Sequence, residues 1–248
     1  MAVDIHREIH QGLDEVTADR REFIRKAFHI LPKLDRPRIL DIGCGRGGPT
    51  LELARLSGGE VVGVDIDAQA LDELAARAAV EGLSEHIRVR NCSMSAMDFE
   101  EESFDVIWAE ASLHVMGFEE GLDAWRRFLA ADGFLVIHEM AWLRPYPPAE
   151  VVVHWRSIFP GIRTVDEYAA EIPRHGHGLM SDFALPEEFW WANYFRPLEL
   201  RIRALREKYR GDHAALAALQ TPEREVDLYR EYRAWYGSAY LVMQKQSA

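Results

Sequence analysis

Short apolar runs alternate with amphipathic stretches through the first 144 residues of the chain. Five of the runs predict β-strands, at residues 39–42, 61–64, 87–91, 104–109 and 134–139. Three stretches between them predict helices, at residues 49–56, at 119–129 and from an Asp67 cap to Glu81. An Ala131-Asp132-Gly133 turn is expected before the fifth strand. Strands that alternate with helices build parallel βαβ units, so the pattern predicts a doubly wound α/β fold.

The segments outside this pattern predict a helical surround. Residues 1–36 are an expected N-terminal helical cap, in which Thr17 caps a helix that runs to Leu31. The core spans 37–144. Residues 145–236 predict a mainly helical elaboration with a sixth strand near 179–185, and its aromatic residues could line a substrate lid or pack its helices. Residues 237–248 predict the last strand of the core.

The composition is that of an acidic protein. The 248 residues include 29 Lys and Arg and 41 Asp and Glu, and the net charge of −12 opposes binding to nucleic acid or anionic membranes. The N-terminus mixes both charge signs and no apolar run approaches the ~18 residues of a membrane span, so we expect no secretory signal, no membrane contact and a cytoplasmic location. Cys44 and Cys92 have no zinc-ligand spacing, and no metal site is predicted.

A glycine-rich loop carries the strongest functional signal. It runs from Asp41 to Gly48 (DIGCGRGG), directly after the first strand and before a helix. Glycine permits a tight turn and close approach of the backbone to a ligand, and the helix start presents unpaired N–H groups. The second strand ends at Asp65, about 20 residues beyond the loop, where a carboxylate can accept hydrogen bonds from both hydroxyls of a ribose. Together these signals predict an adenosine-type ligand.

The charge near the glycine loop helps to distinguish a dinucleotide from other adenosine-type ligands. Gly43, Gly45 and Gly48 satisfy the G-x-G-x-x-G pattern of dinucleotide-binding proteins. Asp41 lies two residues before the first glycine, close to the place of a pyrophosphate, and its carboxylate would repel NAD. The further glycines leave room for a bulky uncharged or cationic chain.

Four segments follow one another across the predicted core. They are LDIGCGRGG at 40–48, VVGVDID at 61–67, SFDVIWAE at 103–110 and ADGFLVIHE at 131–139. In order and spacing they resemble the class I S-adenosylmethionine-dependent methyltransferases, nearest to the small-molecule enzymes of the ubiquinone and menaquinone biosynthesis type. The resemblance covers about 36–144. It implies a Rossmann-like, mostly parallel sheet with an antiparallel last strand, and S-adenosylmethionine as cofactor with S-adenosylhomocysteine as product.

The resemblance also implies cofactor contacts for a set of residues in chain order: Asp41, Gly43, Cys44, Gly45, Asp65, Ile66, Ser93, Met94, Ala109 and Glu110. The glycine loop would contact the methionine part, Asp65 would hold the ribose and Ile66 would pack on the adenine. Ser93 and Met94 would stand beside the adenine edge, and the last two residues would approach the methionine amine. Many relatives carry an aspartate where Ser93 stands.

Acidic and imidazole side chains near the ends of the fourth and fifth strands are candidates for the chemistry. Ligands of an open α/β sheet bind at the carboxyl ends of the strands, where Glu110, His114 and Glu139 are expected. We predict His114 as a general base and the two carboxylates as substrate anchors. A structural role stays open, in which Glu139 fixes a neighbouring loop and His114 caps its helix.

These observations predict an enzyme of the EC 2.1.1 class that transfers a methyl group from S-adenosylmethionine to a small-molecule acceptor by direct displacement. That acceptor is the expected partner, and a homodimer is left open. Two alternatives remain, a catalytically silent protein that binds the adenosyl nucleoside and an NAD-dependent oxidoreductase. The latter is disfavoured because the sequence has no Tyr-x-x-x-Lys arrangement.

Overall fold

One mixed sheet forms the centre of the molecule. The structure, a computed structural model, describes residues 5–10 and 20–246. Within these ranges the strands are β1 (Arg38–Ile42), β2 (Glu60–Asp65), β3 (Ile87–Asn91), β4 (Phe104–Glu110), β5 (Leu129–Trp142), β6 (His177–Ala184) and β7 (Tyr236–Lys245). Their spatial order is β3-β2-β1-β4-β5-β7-β6.

The strands are parallel except where β7 takes part. β1 lies between β2 and β4 in parallel register, with Leu40 opposite Val62 on one side and Ile107 on the other. β7 runs antiparallel to both β5 and β6. The strand order reverses between β1 and β4, and ligands of such sheets bind at this point, outside the carboxyl ends. The predicted doubly wound, Rossmann-like fold with an antiparallel last strand is confirmed.

Local sequence signals set several of the helix ends. The described helices are α1 (Ile5–His10), α2 (Arg21–Ile30), α3 (Gly48–Ser57), α4 (Ala68–Val80), α5 (Phe118–Arg126), α6 (Ala149–Ile158), α7 (Val165–Glu171), α8 (Glu187–Trp190), α9 (Arg196–Lys208), α10 (His213–Ala218) and α11 (Gln220–Tyr232). The Asp67 carboxylate accepts hydrogen bonds from the first turn of α4, as predicted. Thr164 and Glu167 form a reciprocal capping box at the start of α7.

The two faces of the sheet bury separate cores. On the first face, α2, α3 and α4 pack against side chains that include Trp108 and Val136. On the second face, α5 and α7 pack against side chains that include Ile107 and Ile137. Successive residues of a strand point to opposite faces, so neighbouring residues at a strand end serve different sides of the sheet.

The helices that follow β5 build a third core beside the carboxyl end of that strand. Trp142 and Tyr236 of the sheet pack here with Trp155 of α6 and Tyr229 of α11. Phe195 stacks on Tyr229 with 3.8 Å between ring centroids. Over the described ranges of the chain, no helix is both long enough and apolar enough to cross a bilayer.

Two predicted boundaries near β5 were wrong for tertiary reasons. The helix predicted to reach residue 129 ends at Arg126, because Leu129 is buried and pairs with Phe104 as the first residue of β5. The predicted Ala131-Asp132-Gly133 turn lies inside β5, where the pairing with β4 shifts and Asp132 has a φ of 60°. The predicted cap Thr17 lies outside the described residues, and the described helix is α2.

A matched pair of leucine truncations tests the first core. Leu53 on α3 is fully buried, whereas Leu200 on α9 is 55% exposed. We expect Leu53→Ala to lower the free energy of unfolding by about 2–5 kcal/mol, since it leaves a cavity in the packed face. Leu200→Ala should cost no more than about 0.5 kcal/mol. Urea denaturation of both variants measures the difference, and equal effects would contradict the described packing.

Candidate active site

The glycine loop turns sharply between β1 and α3. Gly43, Gly45 and Gly47 all have left-handed backbone conformations, with φ of 74°, 50° and 79°. A Cβ on Gly43 would lie 2.5 Å from the Cβ of Ser112, so no larger residue fits there. The backbone N–H groups of Gly43 and Cys44 both donate to the Val64 carbonyl, which ties the loop to β2. Among the described residues no side chain caps α3, which begins at the end of the loop.

A cleft of about 630 Å³ opens over this loop. Its walls come from the loop itself, which includes Asp41, from α4 and its cap, and from two more distant side chains, Arg20 and Glu110. The cleft lies at the carboxyl ends of β1 and β4, where the strand order reverses. Of the residues predicted to bind a cofactor, Asp41, Gly43, Cys44, Gly45 and Glu110 line it.

Asp41 is a buried carboxyl at the base of the cleft. The Thr50 hydroxyl donates to its Oδ2 at 2.6 Å. Burial raises the pKa of Asp41 to about 7, and the nearby Glu110 and Asp65 carboxylates act in the same direction. Its charge at neutral pH is therefore poised to respond to a cation placed in the cleft.

Asp65 ends β2 and supports the glycine loop. Its carboxylate accepts the Gly45 N–H at 2.8 Å and the Asp67 N–H at 2.9 Å. The Ile66 side chain, which follows it, is 74% exposed. An acid and an exposed apolar side chain thus stand together beyond the loop, the pair expected for a ribose and a base.

The other residues predicted to bind the cofactor lie in different surroundings. The Ser93 hydroxyl lies 2.9 Å from the Ser95 hydroxyl within its own turn. The Met94 Cε lies 3.9 Å from the point where a Cβ on Gly43 would stand, so this side chain is next to the loop. Ala109 is fully buried in the second-face core, and Cys44 is buried with the pKa of its thiol raised by burial.

Glu110 is a buried carboxylate held on one oxygen only. Oε1 accepts hydrogen bonds from Trp108 Nε1 at 2.9 Å and from the Tyr240 hydroxyl at 2.7 Å. Oε2 has no hydrogen-bond partner among the described residues, and Arg20 Nη2 lies 3.6 Å away from it. One oxygen of a buried acid beside the cleft is therefore available to a ligand.

Arg20 is one of the residues of this site that the sequence did not reveal, together with Arg46, Glu73 and Arg77. It stands just before α2, without any motif around it, and it also approaches His138 Nδ1 with Nη1 at 3.4 Å. His138 Nε2 lies 2.8 Å from the Ser238 hydroxyl, which accepts the Trp190 indole N–H at 3.2 Å. Burial and the charge of Arg20 hold the pKa of His138 well below its usual range, so the imidazole is neutral.

His114 and Glu139 lie together, but apart from Glu110. Glu139 Oε2 accepts the backbone N–H of His114 at 3.1 Å and lies 3.1 Å from His114 Nδ1. Glu139 Oε1 accepts the Met140 N–H at 3.1 Å. Since Glu110 is opposite His138 in the sheet, Glu139 points to the other face. The predicted catalytic residues are thus divided between the cleft and a second cavity of about 230 Å³, which His114 and Glu139 line.

The fold and the glycine loop agree with the known proteins to which this chain is similar. Residues 39–133 match the family model of a methyltransferase domain. The chain carries a class I methyltransferase domain. The fold of this domain is also that of an S-adenosylmethionine-dependent methyltransferase from Thiobacillus denitrificans, solved with S-adenosylhomocysteine, at a TM-score of 0.79 and 17% identity over 98% of this chain and 99% of that one.

Curated relatives of the methyltransferase domain include two sterol enzymes. Sterol 24-C-methyltransferase ERG6B of Gibberella zeae is 29% identical over 134 residues, 54% of this chain and 34% of its own. 24-methylenesterol C-methyltransferase 2 of Oryza sativa subsp. japonica is 30% identical over 197 residues, 75% of this chain and 52% of its own. The chain thus spans about a third to a half of these relatives. The predicted family is confirmed, and S-adenosylmethionine is the cofactor of that family.

The pKa of Asp41 predicts a pH-dependent stability. A carboxyl whose pKa is raised on folding stabilises the folded state at low pH, and this contribution is lost as pH rises through about 7. We expect this contribution to be lost between about pH 4 and 7, so Asp41→Asn should make the slope of the unfolding free energy against pH less negative by up to about 1.4 kcal/mol per pH unit in that range.

Two matched variants control this measurement. Glu225→Gln should also flatten the dependence, because burial raises the pKa of Glu225 to about 7. Asp72→Asn, at an exposed position of α4, should leave the slope unchanged. Urea titrations across this pH range provide the comparison, and an unchanged slope in Asp41→Asn would contradict the assignment.

Proposed function

We propose that this chain transfers a methyl group from S-adenosylmethionine to a small-molecule acceptor. The observation that carries the proposal is the cleft over the glycine loop of the methyltransferase domain, which Asp41 and Glu110 line and whose loop Asp65 holds through the Gly45 N–H. An S-methyl sulfonium with an amino-acid tail matches this set of charges, and its chemistry is the donation of an activated methyl group.

The residues of the cleft fit each part of such a cofactor. The Glu110 Oε2, which accepts no hydrogen bond from the described residues and pairs with Arg20 only at 3.6 Å, suits an ammonium group, and the guanidinium of Arg20 suits a carboxylate at the same end. Asp65 suits the ribose hydroxyls, each charge-assisted hydrogen bond being worth about 1.5–3 kcal/mol. The Gly43 backbone permits close approach, because a side chain there would collide with Ser112.

Three arginines, Arg20, Arg46 and Arg77, also line the cleft, so the preference for a cationic ligand over a dinucleotide rests on the two buried acids next to the loop. Asp41 and Glu110 are both buried beside the loop, and two carboxylates there would repel a pyrophosphate. A sulfonium and an ammonium group gain from the same charges. This argument supports methyl transfer over the oxidoreductase alternative.

Methyl transfer by direct displacement depends mainly on alignment. Holding acceptor, methyl group and sulfur in line can contribute about 7–11 kcal/mol. We propose that the helices at 145–236 exclude water from that alignment as a lid, and that His114 with Glu139 removes a proton from the acceptor. In this arrangement the carboxylate of Glu139 orients the imidazole rather than binding substrate.

Binding of S-adenosylhomocysteine tests the cofactor assignment. At 100 times its dissociation constant this ligand should add about 2.7 kcal/mol to the free energy of unfolding, which thermal denaturation detects. Asp65→Ala should weaken its binding about 10–100-fold by calorimetry, since the ribose contacts are lost. NAD should give no stabilisation.

The neighbouring acid Asp72 provides the control for this experiment. It is exposed on α4, so Asp72→Ala should leave the affinity for S-adenosylhomocysteine unchanged. Equal affinity in Asp65→Ala and the unsubstituted protein, or stabilisation by NAD alone, would reject the proposed cofactor.

A further inference from the structure

A second cavity lies beside the cofactor cleft, under the loop that follows β4. We name it the His114 cavity, after the side chain at its wall. Its volume is about 230 Å³, below the roughly 300–1,000 Å³ of pockets for drug-sized ligands. Apolar side chains supply most of its walls, among them Met116, Phe118, Phe159 and Ile162. A compact, largely apolar molecule fits such a space.

One polar group in this cavity is available to a ligand. A carboxylate only accepts hydrogen bonds, so the contact with Glu139 favours the His114 tautomer with its proton on Nδ1 and its lone pair on Nε2. Both Glu139 oxygens are engaged by the backbone or by His114. The Tyr168 hydroxyl donates toward the carbonyls of Met140 and Gly161 at 3.3 and 3.4 Å. His114 lines the cavity with its ring held through Nδ1, which leaves Nε2 as the candidate base.

The charge of the His114 cavity restricts its ligand. No Lys or Arg is among the residues that line it, so a phosphate or carboxylate would lie against the Glu139 charge without compensation. No carboxylate oxygen is left over for an ammonium group either. An uncharged molecule with one acidic hydrogen satisfies both conditions, and the ring of Phe159, 4.5 Å from that of His114, favours a flat one.

A short segment separates the His114 cavity from the cofactor cleft. Glu110 lines the cleft, while Leu113, His114 and Val115 line the cavity. Between them Ser112 packs on Gly43 and donates to the Ile42 carbonyl at 2.8 Å. A ligand in the cavity therefore lies next to the loop that holds the cofactor.

We propose that the His114 cavity binds the methyl acceptor and that this acceptor is a compact, uncharged aromatic alcohol of the phenol class. This inference rests on the proposed function. His114 Nε2 takes the hydroxyl proton, and the phenolate oxygen forms a bond to the methyl carbon as that carbon leaves the sulfur, which keeps the electron pair. The products are an aryl methyl ether, neutral S-adenosylhomocysteine and an imidazolium that returns its proton to water.

4-Nitrophenol tests the inference because its phenolate absorbs visible light and its phenol does not. We expect the protein saturated with S-adenosylhomocysteine to bind 4-nitrophenol and to raise the phenolate band relative to buffer at the same pH. His114→Gln should abolish this increase while changing the affinity for S-adenosylhomocysteine no more than a few-fold. With S-adenosylmethionine and phenol, the same variant should lower kcat for anisole formation about 10²–10⁴-fold.

Matched controls separate this role from a structural one. His175 also pairs with a carboxylate, Asp123 at 2.7 Å, but lies outside the cavity, so His175→Gln should keep the phenolate band. Phenyl phosphate and benzylamine should not compete with 4-nitrophenol. If S-adenosylhomocysteine binds but the band is absent, or survives in His114→Gln, the inference is wrong while the proposed cofactor stands. If S-adenosylhomocysteine does not bind, the proposed function itself fails.

Discussion

The close contact between Gly43 and Ser112 is the constraint on which the site depends. It brings the loop after β1 against the loop after β4, and the Ser112 hydroxyl bonds to the Ile42 carbonyl across the junction. The N–H groups of Gly43 and Cys44 add the end of β2 to the same junction. Three strand ends are thereby locked together. Glu110 of the cleft and His114 of the second cavity lie on the same short segment, on either side of Ser112.

Buried carboxyl groups determine the chemistry of the cleft, and their burial lowers the stability of the folded protein. Asp41 and Glu110 are both removed from water, and an unpaired buried charge is strongly unfavourable. Thr50, Trp108 and Tyr240 offset part of that cost with hydrogen bonds, and Arg20 brings a positive charge near Glu110. A cationic ligand would complete the compensation. Incompletely compensated charge on buried carboxyl groups is typical of a site that binds a charged ligand.

Much of the fold was predictable because its signals are local. Asp67 caps α4 through its own side chain. The glycine loop has left-handed backbone conformations, which glycine adopts readily and other residues rarely. The order of the motifs also fixed the family. The parts that were missed depend on register between distant strands, which neighbouring residues do not encode.

The placement of Glu110 and Glu139 on opposite faces of the sheet is an example of such an effect of register. Glu110 ends β4 and Glu139 lies within the neighbouring β5, where the bulge near Asp132 shifts the register so that His138 comes opposite Glu110. Glu139 consequently turns to the other face and joins His114. Arg20 was missed for a related reason: its partners Glu110 and His138 are some 90 and 118 positions away along the chain, and their proximity arises only in the folded molecule.

The place of β7 has a consequence for how this protein is made. Tyr240 holds Glu110, Ser238 joins His138 to Trp190, and Tyr236 enters the third core. All three belong to the last described strand, which inserts between β5 and β6. During translation the glycine loop leaves the ribosome long before these partners do. The polar wall of the cleft and the third core are therefore completed only when β7 has been synthesised.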